Sequence, residues 1–288
     1  MRKALRAFPY YGGKARLTSE ITSCFTPDHT SFFELFIGGG SITFNLGNSD
    51  GENMVINDFD THIANFYKVL QGSEGAQLIE ELCSIEISER TFKEAKRYML
   101  YYPVKANRRK SAVCTYIEIA TSFSAMRQNF ARGRKEEAYL RGIQNNLPKI
   151  REKLQEGIKI RNQNALDILR EIKNDTEAMV YLDPPYLMKL RNGKGYRYEM
   201  REFEHIKMLS ILSTCKCKIL LSGYRSEHGY NPYDSWLVPC GYRVYRLSEV
   251  VKSCQSTREK SKGTEYIWAN YELPETASFA QEVVLKNF

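Results

Sequence analysis

An aspartate, two prolines and a tyrosine, Asp183-Pro184-Pro185-Tyr186, close the apolar run Ala178 to Leu182. Prolines fix the backbone and lack an N–H. Such a turn therefore offers acceptors in a set geometry: its carbonyls and the Asp183 carboxylate. Acceptors suit an exocyclic amino group, which presents N–H donors in the plane of its base. Tyr186 adds a flat face on which a base can stack. A rigid turn with a surface aspartate is the alternative for an isolated Asp-Pro-Pro; the tyrosine and the preceding strand favour the chemical reading.

Two further strand ends carry residues of the same kind. Ser31 to Phe36 is a short aromatic run that stops at Gly38-Gly39-Gly40. Glycines let backbone approach a ligand closely, and a helix starting near Ser41 would favour negative charge there. The spacing is not the GxGxxG dinucleotide fingerprint, and a plain tight turn explains three glycines equally well. Asp58 closes the next short run, Met54 to Asn57, about twenty residues on, where an acid commonly accepts from ribose hydroxyls. Alone, Asp58 serves equally as a helix cap. Together the two ends point to a nucleoside-type cofactor.

The elements that must position these ends alternate between strand and helix. Strand patterns recur at Ile158 to Arg161, Ala178 to Leu182, Lys218 to Ser222, Tyr242 to Leu247 and Glu265 to Ala269. Helical patterns run from Asp58 to about Leu70, Leu166 to Lys173 and Met200 to Ser213. Alternation of this kind predicts an open, largely parallel α/β sheet, with ligands beyond the carboxyl ends of its strands. The stretch 75–157 breaks the alternation: it is mostly helical and polar, interrupted near Pro103 and Gly133. We read it as an inserted helical subdomain, with 1–74 and 158–288 forming the main domain.

Charge follows the same division. The 288 residues carry a formal net charge of +8. Between Tyr101 and Ile150 stand ten basic side chains against three acidic, and between Leu187 and Arg201 five against one. Clustered cations interleaved with Tyr and Phe suit a phosphate-lined partner; a solvated cationic face is the plainer explanation. With 42% hydrophobic and 26% charged residues the composition is that of a folded globular protein. No apolar run approaches the roughly 18 residues of a membrane span, and no hydrophobic stretch follows the basic N-terminus. A cytoplasmic protein is the expectation. The seven cysteines are scattered, apart from Cys215 and Cys217, and lack zinc-site spacing; no metal is expected.

Six fragments in order resemble the Dam-like DNA adenine-N6 methyltransferases: Tyr10-Tyr11-Gly12-Gly13-Lys14, Glu34-Leu35-Phe36-Ile37-Gly38-Gly39-Gly40, Ile56-Asn57-Asp58, Asp183-Pro184-Pro185-Tyr186, Leu221-Ser222-Gly223-Tyr224 and Thr264 to Tyr271. The resemblance covers nearly the whole chain. It implies a Rossmann-like methyltransferase fold with an inserted target-recognition subdomain, S-adenosylmethionine as methyl donor, S-adenosylhomocysteine as product, and double-stranded DNA as partner. Tyr10 and Lys14 would hold the methionine end of the cofactor, Lys14 near its carboxylate. Glu34 would lie near its amino group, while Phe36, Gly38 and Gly40 shape the pocket. Asp58 would take the ribose hydroxyls and Asn164 would lie near the adenine. Asp183, also at the cofactor, and the Pro184 carbonyl would grip the target amino group; Pro185 completes the turn, and Tyr186 would stack on an extruded base.

The stretch Ser122 to Phe130 resembles the family's recognition loop, with Ser124, Met126, Arg127, Gln128 and Asn129 as candidate base contacts. Arg reads guanine edges, and Gln and Asn read adenine. Ser124 and Gln128 stand where Asn and Arg are familiar, so a GATC target is not carried over. Arg132, Arg134, Lys135, Lys189 and Arg191 are expected on DNA, the first three at phosphates. Methylation of cytosine's amino group, an RNA substrate, and a catalytically silent DNA-binding module are the competing functions. Asp at 183 rather than Ser argues against the first. The retained Tyr10, Lys14, Asp58, Asp183 and Tyr186 argue against the last. A monomer is expected, and the residues do not distinguish a restriction–modification partner from a viral or housekeeping enzyme.

Overall fold

The computed structural model describes residues 3–47, 53–133, 136–190, 195–226, 231–251 and 262–284. Its centre is an eight-stranded sheet of order β3-β2-β1-β4-β5-β7-β6-β8. The first five in that order, β3 (Lys159–Arg161), β2 (Asn53–Asn57), β1 (Ser31–Glu34), β4 (Ala178–Leu182) and β5 (Lys218–Gly223), run parallel. Strand β7 (Lys262–Ala269) enters antiparallel beside β5, followed by β6 (Arg243–Val251) and the two-residue β8 (Gln281–Glu282). A parallel run ended by an antiparallel β7 set between β5 and β6 is the Rossmann-like methyltransferase sheet. The chain winds outward in both directions from β1 and β4, so the crevice between their carboxyl ends is the place where such sheets bind ligands.

Strand side chains alternate between faces, and the sequence supplies an apolar set for each. Phe33, Val55, Val180, Leu182, Ile219, Leu221 and Trp268 pack against α7 (Ala165–Ile172), α8 (Glu202–Leu212) and α9 (Pro232–Leu237). Phe32, Met179, Tyr181, Leu220 and Ile267 face the other way, over α1 (Thr18–Thr22) and its flanking loops. Helix α2 (Thr61–Gln71) lies on that second side with Ile56. Its start is fixed by Asp60, whose side chain accepts from the His62 amide, an N-cap of the ordinary kind.

The stretch 75–157 holds α3 (Gly75–Ser84), α4 (Glu89–Tyr101), α5 (Arg108–Thr121) and α6 (Glu136–Gln155). It does not keep a core of its own. Leu78, Leu82, Ala112, Tyr116, Ile143 and Leu147 join Phe8, Ile37, Ile56, Phe66 and Tyr67 in one cluster. Helix α5 is buried all round, as a helix wrapped by neighbours must be. These helices thus extend one face of the sheet.

The glycine segment departs from expectation. No α-helix starts near Ser41; a single 3-10 turn, Thr43–Asn45, follows. The Asn45 side chain donates to the Leu5 carbonyl and accepts from the Leu5 amide, which anchors the chain to the N-terminal segment before a second turn can form.

Candidate active site

One cavity of about 390 Å³ opens at the carboxyl ends of β1, β2 and β4, lined in part by Tyr10, Glu34, Gly38, Asp58, Asn164 and Asp183. The loops bearing these residues are stitched together by one side chain. Asn57 is buried; its amide nitrogen donates to the Leu35 and Gln163 carbonyls, and its oxygen accepts from the Gln163 amide. The tips of β1, β2 and β3 are thereby locked at one level.

The glycine loop is shaped by backbone conformation. Gly38 and Gly40 adopt φ of +46° and +73°, which L side chains resist. The Gly38 amide donates to Asp58 Oδ2 at 3.0 Å and its carbonyl accepts from Tyr67. A Cβ on Gly38 would come within 2.6 Å of the Tyr10 ring. Asp58 Oδ1 accepts from the Asp60 amide. Burial, reinforced by the neighbouring Asp60, pushes the half-buried Asp58 carboxyl up to about 7. Glu34 accepts from both the amide and hydroxyl of Thr43; burial nevertheless raises it to about 8. Asn164 lines the cavity while its side chain caps α7 through the Leu166 amide.

Lys14 is paired within the protein. It is buried, and its ammonium sits 2.7 Å from both Asp183 oxygens and 3.0 Å from the Gly12 carbonyl. Glu265 lies 3.9 Å away. Burial pulls the Lys14 pKa down, but Asp183 and Glu265 more than offset that. Burial raises Glu265, which also accepts from the Tyr186 hydroxyl. Tyr186 is not an open stacking face. Its ring is buried beneath the Lys14 ammonium, 4.8 Å from the centroid, and edge-on to Tyr224 at 4.6 Å. Of the turn, Asp183 and Pro185 line the cavity, with Pro184 buried.

The recognition-loop candidates divide. Gln128 and Asn129 are exposed, and Ser124 and Met126 half-buried. Arg127 corrects the expectation of a base reader: its guanidinium is folded inward, 8% exposed, with Nη1 donating to Asp60 and Nε to Glu118, each at 2.6 Å. Two buried carboxylates demand a cation, and Arg127 is drawn to them. Arg132 and Lys189 are exposed, in pairs with Glu89 at 3.4 Å and Glu202 at 3.1 Å, contacts worth little in water. Arg134, Lys135 and Arg191 lie outside the described residues. Asn57, Asp60, Glu118 and Glu265 had no assigned role in the sequence. Glu118 left a signal, a lone acid in the buried run of α5, which must meet a cation somewhere.

The donor set fits an S-adenosyl group. Carboxylates at Glu34, Asp58 and Asp183 suit hydroxyl donors and cations, and the aromatic walls at Tyr10 and Phe36 suit a base or a sulfonium. Among curated relatives, the type II methyltransferase M.CviBI of Paramecium bursaria Chlorella virus NC1A is 25% identical over 249 residues, 82% of this chain and 89% of its own. The type II methyltransferase M.MjaIII of Methanocaldococcus jannaschii is 24% identical over 297 residues, 90% of this chain and 96% of its own. A solved methylase structure from Haemophilus influenzae, 14% identical, aligns over 85% of this chain and 82% of its own with a TM-score of 0.34; the sheet order, not that likeness, identifies the fold. The family model for D12 class N6 adenine-specific DNA methyltransferases matches residues 10–252. The chain therefore belongs to this family: an S-adenosylmethionine-dependent enzyme that methylates adenine N6 at specific DNA sites.

Proposed function

We propose that this chain methylates an adenine flipped out of duplex DNA, with Asp183 and the Pro184 carbonyl accepting from its two amino N–H groups. The observation that carries this reading is the position of Asp183 at the end of β4, lining one cavity with the β1 glycine loop and Asp58. Each carboxylate oxygen has more than one lone pair, so Asp183 can accept an N–H while still paired with Lys14. Acceptors on both N–H groups draw the amino nitrogen toward tetrahedral geometry and free its lone pair from the ring. When bound, S-adenosylmethionine supplies an electrophilic methyl on a sulfonium. The residues contribute alignment and electrostatics. The nitrogen sheds its proton only after it has become cationic, so Asp183 stabilises charge instead of acting as a strong base.

Tyr10, Glu34, Phe36, Gly38, Gly40, Asp58 and Asn164 are proposed to hold the cofactor. Lys14 is assigned to Asp183 first and to the cofactor carboxylate only where it can reach both. Tyr186 stacks on the base once Tyr224 gives way. The helical insertion 75–157, through Ser124, Met126, Gln128, Asn129 and Arg132, contacts the target, with the exposed Lys189 at the DNA backbone. The type II names of the relatives support a role in restriction–modification.

Tritiated-methyl transfer into mixed DNA, nucleoside analysis and sequencing of the product should give N6-methyladenine at a defined site. With that site known, 2-aminopurine at the target position should brighten on binding as it leaves the stack. Asp183→Ala should lower transfer by about 100-fold or more with DNA affinity retained. Methylated cytosine, an unchanged 2-aminopurine signal or undiminished turnover would each remove the corresponding part of this reading.

A further inference from the structure

Arg127 stands in a loop that is closed on itself. Phe123 N–H donates to the Asn129 carbonyl, Arg127 N–H to Ser122 Oγ, and Ala131 N–H to the Thr121 carbonyl. Within it Ser124, Ala125 and Arg127 hold φ of +50°, +57° and +62°, left-handed values that cost non-glycine residues about 1 kcal/mol or more each. That conformation turns Gln128 and Asn129 outward while sending the guanidinium inward.

From the guanidinium a continuous line of contacts reaches the cofactor loops. Nη1 meets Asp60 Oδ2 at 2.6 Å. Asp60 Oδ1 caps α2, its amide donates to Asp58 Oδ1, and Asp58 Oδ2 holds the Gly38 amide. Asp58, Asp60 and Gly38 all line the cavity. The other arm, Nε to Glu118 at 2.6 Å, fixes the same cation to α5, the helix that leads into the loop.

Stability alone does not account for this arrangement. One cation serves two buried carboxylates, and Arg127 Nη2 is buried without a hydrogen-bond partner among the described residues. Buried ion pairs are often no more stable than apolar residues of similar size. A device that must transmit position has reason to keep them.

We propose that Arg127 is a positioning residue that ties the target loop to the cofactor side of the cavity, so that DNA and cofactor strengthen each other's binding. The proposal rests on the reading of loop 122–130 as a DNA contact. Contact of the loop with its site bears on Arg127, and through it on Asp60, Asp58 and the Gly38 turn.

The test is a binding cycle on the full chain. S-adenosylhomocysteine is titrated with and without a duplex bearing the site found by product sequencing, and the duplex with and without S-adenosylhomocysteine. Wild type should show tightening of about fivefold or more, by the same factor in both directions as reciprocity demands. Arg127→Lys cannot fork between two carboxylates. Asp60→Asn keeps an α2 cap but offers the guanidinium an N–H, and it carries the test if the lysine variant fails to fold. In either variant the factor should fall below about twofold. A merely structural role would weaken both ligands and leave the factor intact. An undiminished factor in both variants overturns the proposal, as does a wild type with no coupling. The reading of the loop fails separately, if Gln128→Ala and Asn129→Ala leave DNA affinity unchanged.

Discussion

Glu34 illustrates how a single buried acid writes itself into the pH behaviour of the fold. Burial holds it near a pKa of about 8, whereas an unfolded glutamate titrates near 4.3. Between those values the native chain binds the extra proton, so this residue's contribution to stability declines as pH rises through that window. Glu34→Gln keeps an acceptor for Thr43 and cannot ionise. Its melting temperature relative to wild type should therefore rise between about pH 5 and about pH 8.5, read by calorimetry at both. Asp58, raised to about 7, adds a slope of the same sign. A cation seated in the cavity favours the ionised carboxylates. S-adenosylmethionine should accordingly bind more tightly at about pH 8 than at about pH 6, with proton release measurable by titration in buffers of different ionisation enthalpy. Lys14 shows the other side of the balance: Asp183→Ala would strand it with Glu265 as its nearest anion, at a cost of about 3 kcal/mol by urea unfolding.

At the scale of elements, the turn after β1 depends on backbone that few residues supply. A Cβ on Gly40 would meet the Phe44 ring at 2.3 Å, at φ +73°. Gly40→Ala should destabilise the protein by about 1–3 kcal/mol, measured by denaturant midpoint, and weaken cofactor binding beyond that loss. Much of the element order is legible in the sequence because the central strands are short apolar runs ended by glycine, aspartate or proline. Ser31–Glu34, Asn53–Asn57 and Ala178–Leu182 all stand where their patterns place them. The residues that failed to announce themselves did so for physical reasons. Helices α1 and α9, with five and six residues, are too short to show a period of 3.6. The turn at Thr43–Asn45 is stopped by a partner forty residues away in sequence, Leu5, which no local pattern contains. In the sequence Arg127 reads as a DNA contact, because a guanidinium in a basic loop has the same letters whether it points out or in. Only the partners at Asp60 and Glu118 decide. Tyr186 is similar: the motif names the ring, but its present neighbours, Lys14 and Tyr224, come from distant segments.

For the whole molecule, the charge of +8 makes DNA affinity a function of salt. A plot of log affinity against log salt concentration should be linear with a slope set by the phosphates neutralised. Arg132→Ala should reduce that slope by about one without changing which site is methylated, because the side chain is exposed and its Glu89 contact is long. Gln128→Ala should behave in the opposite way, altering site preference with little change in slope. The packing of α3 to α6 bears on the same question. Their side chains share a core with Ile37, Ile56 and Tyr67, so they cannot rotate as a separate body without opening the wall behind the glycine loop.

The two-residue strand β8 has a consequence out of proportion to its length. Without Gln281–Glu282, the Tyr245–Arg246 part of β6 would present unpaired N–H and C=O groups to solvent, a template on which a second molecule's strand could grow. The local pairing is slight, Tyr245 with Glu282 and Arg246 with Gln281, and Val283 adds one amide bond to the Val244 carbonyl. Yet it sits where lateral self-association would begin. A chain cut after Ala280 should keep its melting temperature within a few degrees and still elute on gel filtration as larger, concentration-dependent species.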